Sequence, residues 1–207
     1  MPAEPVFVLK EGRYATVKKA EFAARLKRAC ACVAAAESTL TEIDSKFGDA
    51  DHGLTMSKIS GAIAQAVEES DGGIQAMLDD AAMAVMMLNG GSAVPLWNTW
   101  LDGMQEAAPA GDEVDVAGLQ AIFARGFETL DDISGAKVGD KTMMDALIPA
   151  SQAIAAYTGT DEKELFDLAA QAAREGAEAT KQFTAKFGRA KSYGEQTIGT
   201  PDAGATS

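Results

Sequence analysis

Apolar residues recur at steps of three and four through most of this chain, and short clusters of Gly, Asp and Asn interrupt the pattern. Such spacing puts one apolar stripe along a helix, and each cluster ends one helix before the next begins. Phe22, Leu26, Ala29, Val33, Ala36, Leu40 and Ile43 form the clearest stripe, predicting a helix from Thr16 to about Asp44. Further helices are predicted over Leu54–Glu69, Ile74–Leu88, Pro95–Ala107, Val116–Asp132 and Lys141–Tyr157, with Pro149 kinking or breaking the last. Thr160 and Asp161, followed by Glu162 and Glu164, mark the start of a long helix reaching about Phe187. No strand-like alternation of useful length and no internal repeat is evident. Ala, the best helix former, occurs 41 times, while aromatics make up only 6%. The expectation is an all-α antiparallel bundle or barrel of seven or eight helices, with loops falling alternately at its two ends.

A length of 207 residues and 47% hydrophobic content suit one domain with a sizeable core. Residues 1–14, with Pro2 and Pro5, read as a loose arm. No apolar run approaches the roughly 18 residues of a membrane span. Glu4 and the lack of a basic-then-apolar stretch argue against a signal peptide, so a cytoplasmic protein is expected. Cys30 and Cys32 lie two apart in a predicted helix and point to different faces, which disfavours a disulfide between them. Eighteen Lys and Arg stand against 31 Asp and Glu, a net charge of −13. That balance argues against nucleic acid or an anionic membrane as partner. It leaves room for a nucleotide, because metal ions held by carboxylates can carry phosphates.

Four segments bear on chemistry. Glu42–Gly53 places Asp44, Asp49 and Asp51 within eight residues, beside His52, the only histidine. A dense set of carboxylates favours Mg²⁺ or Ca²⁺; a cysteine-free set does not suit structural zinc, and the positions do not fit an EF-hand. The same residues also read as a polar inter-helix loop in which an Asp caps the next helix. Asn89–Leu96 leads small residues into a helix N-terminus, suiting an anion, a flat ring or a simple turn. Ser134–Met143 superficially looks like a phosphate loop, but Asp140 stands where a P-loop needs Lys. Gly188–Gly204 reads by composition as a disordered tail, with Arg189 and Lys191 as cations able to balance phosphates.

In order and spacing these segments resemble the nucleotide-binding L subunit of dihydroxyacetone kinases. Ile43–Gly53 matches that family's Leu-Asp-x-x-x-Gly-Asp-x-Asp-His-Gly, and Gly90–Leu96 loosely matches its Gly-Gly-Ala-Ser-Gly-Pro-Leu turn. Val138–Met143 matches Val-Gly-Asp-Lys-Thr-Met, and Gly188–Ala205 matches its closing segment. The resemblance implies an eight-helix antiparallel barrel, 1–207, with a nucleotide at one end. It implies that Asp44, Asp49 and Asp51 hold two Mg²⁺ and that His52, Gly53, Leu54 and Thr55 line an ADP or ATP site. Ser92 and Ala93 would meet the base or ribose, and Ser134 or Gly135 with Met143 would pack near the adenine. Arg189 and Asp202, Ala203 and Gly204 would close over the nucleotide as part of a covering tail, 188–207.

The family's ketose-holding histidine module is absent from these residues, so the resemblance implies a separate K subunit as partner. It also implies a phosphotransferase-system protein as the favoured phosphate donor, and it is compatible with a homodimer. Thr55 stands where the family has Asn, Val94 where it has Gly, Ala203 where it has Pro and Gln196 where it has Arg. These departures point to a divergent member whose acceptor is dihydroxyacetone or a tetrose such as erythrulose. The competing reading is a non-catalytic nucleotide sensor or helical interaction module of the same fold.

Overall fold

The computed structural model describes residues 16–207, so the arm expected over 1–14 lies outside the described residues. The chain runs β1 (Thr16–Lys18), α1 (Lys19–Ala35), α2 (Glu37–Ser45), α3 (His52–Glu69), α4 (Ile74–Met86) and α5 (Ala93–Ala107). It continues with β2 (Glu113–Asp115), α6 (Val116–Ser134), α7 (Met144–Ala156), α8 (Glu162–Ala179) and the short α9 (Ala203–Thr206). Two 3₁₀ segments, Thr180–Gln182 and Arg189–Thr197, precede α9.

The local signals are visible in the caps. The Asp161 side chain accepts the Lys163 and Glu164 amides at the start of α8, and Asp115 accepts the Gly118 amide at the start of α6. Gly135 ends α6 at a φ of 63°, a conformation open to glycine at little cost. Consecutive helices pack in sequence order from α3 to α8, while α1 and α2 both pack on α3. Arg25 of α1 meets Glu162 of α8 at 3.1 Å, and α9 touches α2, α7 and α8, so the ring of helices closes. A run of partly buried aromatic contacts packs against the core: Trp97–Trp100, Trp100–Phe123 and Phe123–Phe166, at centroid separations of 5.0, 6.1 and 5.3 Å. The all-α antiparallel barrel is the fold expected from the sequence.

Several boundaries differ from expectation. The first helix starts at Lys19, because Thr16–Lys18 pairs antiparallel with Glu113–Asp115 in a two-stranded sheet. It also breaks at Ala36 into α1 and α2. Pro149 does not break α7. Proline frees the carbonyl of the residue four before it, here Asp145. Gly176 of α8 lies directly against that carbonyl, and a Cβ there would overlap it. The helix expected to reach Phe187 stops at Ala179, where buried Thr180 receives the Asp202 amide on its hydroxyl at 2.9 Å. The tail that composition alone reads as disordered is folded back, with Thr197 fully buried and its hydroxyl accepting the Ala185 amide.

Candidate functional site

Because the helices alternate in direction, the α2–α3, α4–α5 and α6–α7 connections share one end of the barrel with the tail after α8. Together they enclose a cleft of about 730 Å³. The far end carries β1, β2 and the remaining loops.

Asp44 closes α2, and its carboxylate accepts the backbone amides of Asp51 (3.1 Å) and His52 (3.4 Å). It thereby tethers the start of α3, the position a capping reading gives to an Asp. Asp51 itself, at the N-cap, makes no side-chain cap bond. Between them the backbone is folded tightly. Gly48 donates to the Asp44 carbonyl at 2.6 Å, a Cβ at Gly48 would collide with the Asp44 carboxylate, and Ala50 takes a φ of 60°. The result is that Asp44, Asp49 and Asp51 each offer an oxygen, all within 4.8 Å of one another. Arg189 pairs with Asp49 at 2.7 Å, which leaves three carboxylates facing one guanidinium. Partial burial pushes the Asp51 carboxyl up, and the charges of Asp49 and Asp44 push it further. A cluster held together against its own repulsion has the donor chemistry of a hard divalent cation site.

His52 is largely withdrawn from water, which lowers its pKa, so the ring is neutral at pH 7. Its Nε2 lies 3.2 Å from Ser207 Oγ. Thr55, Ser92, Ala93, Ser134 and Met143 line the cleft, as do Asp202, Ala203 and Gly204 of the tail. Three of the expected site residues stand elsewhere. Gly53 is buried against the Glu37 carbonyl and Thr41 of α2, where a Cβ would overlap both. Leu54 points outward and is 48% exposed. Gly135 is the α6 C-cap, while its neighbours Ser134 and Ala136 line the cleft.

Lys141, to which the sequence alone assigns no role, also lines the cleft and is only 5% exposed. Phe187 and Thr200 also line it. The available signal was the Val-Gly-Asp-Lys-Thr-Met segment, in which Lys141 is the one cation.

The profile of the DAK2 domain matches residues 46–207. The chain belongs to the DAK2 domain family. Among its relatives, the L-erythrulose 1-kinase of Mycolicibacterium smegmatis is 35% identical over 83% of this chain and 30% of its own length. The ADP-binding subunit of the PEP-dependent dihydroxyacetone kinase of Escherichia coli is 31% identical over 81% of both chains. This DAK2 chain thus spans about a third of the erythrulose kinases it matches and most of the separate subunit. The dihydroxyacetone kinase of C. freundii, solved with AMP-PNP and Mg²⁺, superposes with a TM-score of 0.70 at 22% identity. The match covers 99% of this chain and 36% of that one, and it establishes a shared fold. No helix among the described residues is long and apolar enough to cross a membrane.

Proposed function

We propose that this DAK2 domain is the nucleotide-binding half of a ketose kinase. It holds ADP or ATP with two Mg²⁺ at the cleft and passes a phosphoryl group to a ketose on a separate K-type subunit. The observation that carries this reading is the convergence of Asp44, Asp49 and Asp51 on one spot in the lining of a nucleotide-sized cleft. Bound Mg²⁺ would neutralise phosphate charge and orient the transferring group, the main requirement of phosphoryl transfer. The chain's own residues supply the rest. The three carboxylates hold the ions, Asp44 fixes the start of α3 through two amides, and neutral His52 offers a ring nitrogen at the edge of the cleft. Arg189 is paired with Asp49 and stands ready to meet a phosphate. The tail residues Asp202–Gly204, within 188–207, cover the nucleotide, and Ser92, Ala93, Ser134 and Met143 form the walls of its pocket.

The longer kinases extend well beyond the part this chain matches, which supports placing the acceptor on a separate K-type unit. The relative named as a separate ADP-binding subunit of a PEP-dependent enzyme favours resident ADP, recharged by a phosphotransferase-system protein. The relatives named erythrulose kinases keep a tetrose beside dihydroxyacetone as acceptor.

Calorimetry with ADP tests the binding step. Wild type is expected to bind ADP with Mg²⁺ and to lose most of that affinity with EDTA. Asp49→Asn is expected to weaken binding by more than about tenfold, the lower end of the loss seen when even outer-shell metal contacts are removed. Mg²⁺-independent binding, or none, would sink the metal-nucleotide reading. Binding without phosphoryl transfer in the presence of a K-type subunit, from either ATP or a phosphotransferase donor, would leave a nucleotide sensor instead.

A further inference from the structure

Lys141 is a buried cation outside the acidic cluster. It sits in the α6–α7 loop at a φ of 61°, a left-handed conformation that strains a non-glycine residue. Fully buried Asp145 holds the loop in that shape, accepting the Gly139 amide at 2.6 Å and the Thr142 amide at 2.7 Å. The strained backbone aims the Lys141 ammonium at two carbonyls, Thr180 and Thr200, each at 2.5 Å. Thr180 ends the α8 region, while Thr200 lies in the tail, two residues before Asp202. A buried ammonium is costly unless fully paired, and a hydrophobic side chain would fill the same space without that cost. Here the pairing partners are the two ends of the segment that folds back over the cleft.

We propose that Lys141 is a positioning residue that straps the segment 200–204 down across the cleft, so that retention of the bound nucleotide depends on it. The inference rests on the nucleotide reading above. The loop 139–142 and Asp145 serve as a rigid mount, and the ammonium acts as the clasp. Thr180 adds a second fastening by accepting the Asp202 amide, and the Lys181 carbonyl a third by accepting the Gly199 amide at 2.7 Å. Removing the clasp leaves the strap partly open. Because apparent affinity scales with the fraction of competent, closed protein, nucleotide then leaves faster.

The test uses the full chain and three variants, Lys141→Met, Lys141→Arg and Thr180→Val. Hydrogen exchange is followed with and without saturating Mg²⁺ and ADP, and ADP dissociation is followed by stopped flow. In Lys141→Met, protection of residues 198–207 is expected to fall about tenfold while the long helices keep theirs, as suits the loss of charge-assisted bonds. ADP dissociation should accelerate by a similar factor. Saturating Mg²⁺ and ADP should restore the strap's protection, because the coupling is reciprocal. A general loss of stability would instead lower the protection of the long helices along with that of the strap. Lys141→Arg, which keeps the cation, should fall between wild type and Lys141→Met, and Thr180→Val should loosen the same segment. Unchanged strap protection overturns the proposal, and so does a loosened strap with unchanged ADP dissociation. If Lys141→Met does not fold, the other two variants decide by the same criteria. If wild type retains no ADP, the nucleotide reading fails, whereas the exchange data without ligand still report whether Lys141 holds the strap.

Discussion

Ala50 holds a φ of 60° between Asp49 and Asp51. The left-handed backbone at this one residue turns two successive carboxylates toward the same point. A β-branched side chain tolerates that conformation worst, so Ala50→Val is expected to lower stability by about 1–2 kcal/mol. Ala50→Gly should keep or raise stability while loosening the cluster. Thermal unfolding with and without Mg²⁺ checks both, the Val variant losing most of the ion's stabilising effect. At this scale the carboxylates were readable from the sequence because they lie within eight residues of one another. Lys141 was not readable, since its role depends on carbonyls 39 and 59 residues away that only the folded tail brings together. Gly53 reads as a site residue because it follows His52, yet what fixes it is the close crossing of α2 and α3.

Between elements, glycines permit close backbone approaches. Gly103 of α5 lies against the Arg125 carbonyl and Thr129 of α6, and Gly126 of α6 lies against the Trp100 carbonyl and Met104 of α5. This reciprocal pair lets the two backbones nearly touch. Gly126→Ala is therefore expected to destabilise by about 1–3 kcal/mol, the range for overpacking a close contact. Gly61, exposed in the middle of α3, has nothing within 4 Å of a Cβ position. Gly61→Ala should stabilise by roughly 0.5–1 kcal/mol through helix propensity alone. Denaturant melts of the two variants should move in opposite directions. The stripes and turn clusters made the helices readable to within a few residues. The errors fell where tertiary contacts override local preference: strand pairing at Thr16, and the Thr180 anchor that ends α8 early.

For the molecule as a whole, pH tests how the tail is held. Burial pushes the Asp202 carboxyl up to about 6, with nearby Lys141 pulling it back only in part. An unfolded Asp titrates near about 3.9. Between those values the folded state binds the extra proton, so ionised Asp202 weakens the fold above pH 6, and the penalty fades as pH falls through the window. Asp202→Asn keeps a capping oxygen and removes the charge. It is expected to melt higher than wild type at pH 7, and the gap should narrow as pH is lowered toward 4. A gap that widens on acidification would contradict this account.

The antiparallel ring also sets a distance. β1 lies at the end of the barrel remote from the cleft, and α3 alone, at 18 residues, spans about 27 Å between the two ends. An acceptor domain joined ahead of Thr16 would have to be tethered by a linker long enough to pass along the outside of the barrel. An acceptor on a separate chain pays no such toll, and can meet the cleft head-on from the end where every site loop emerges.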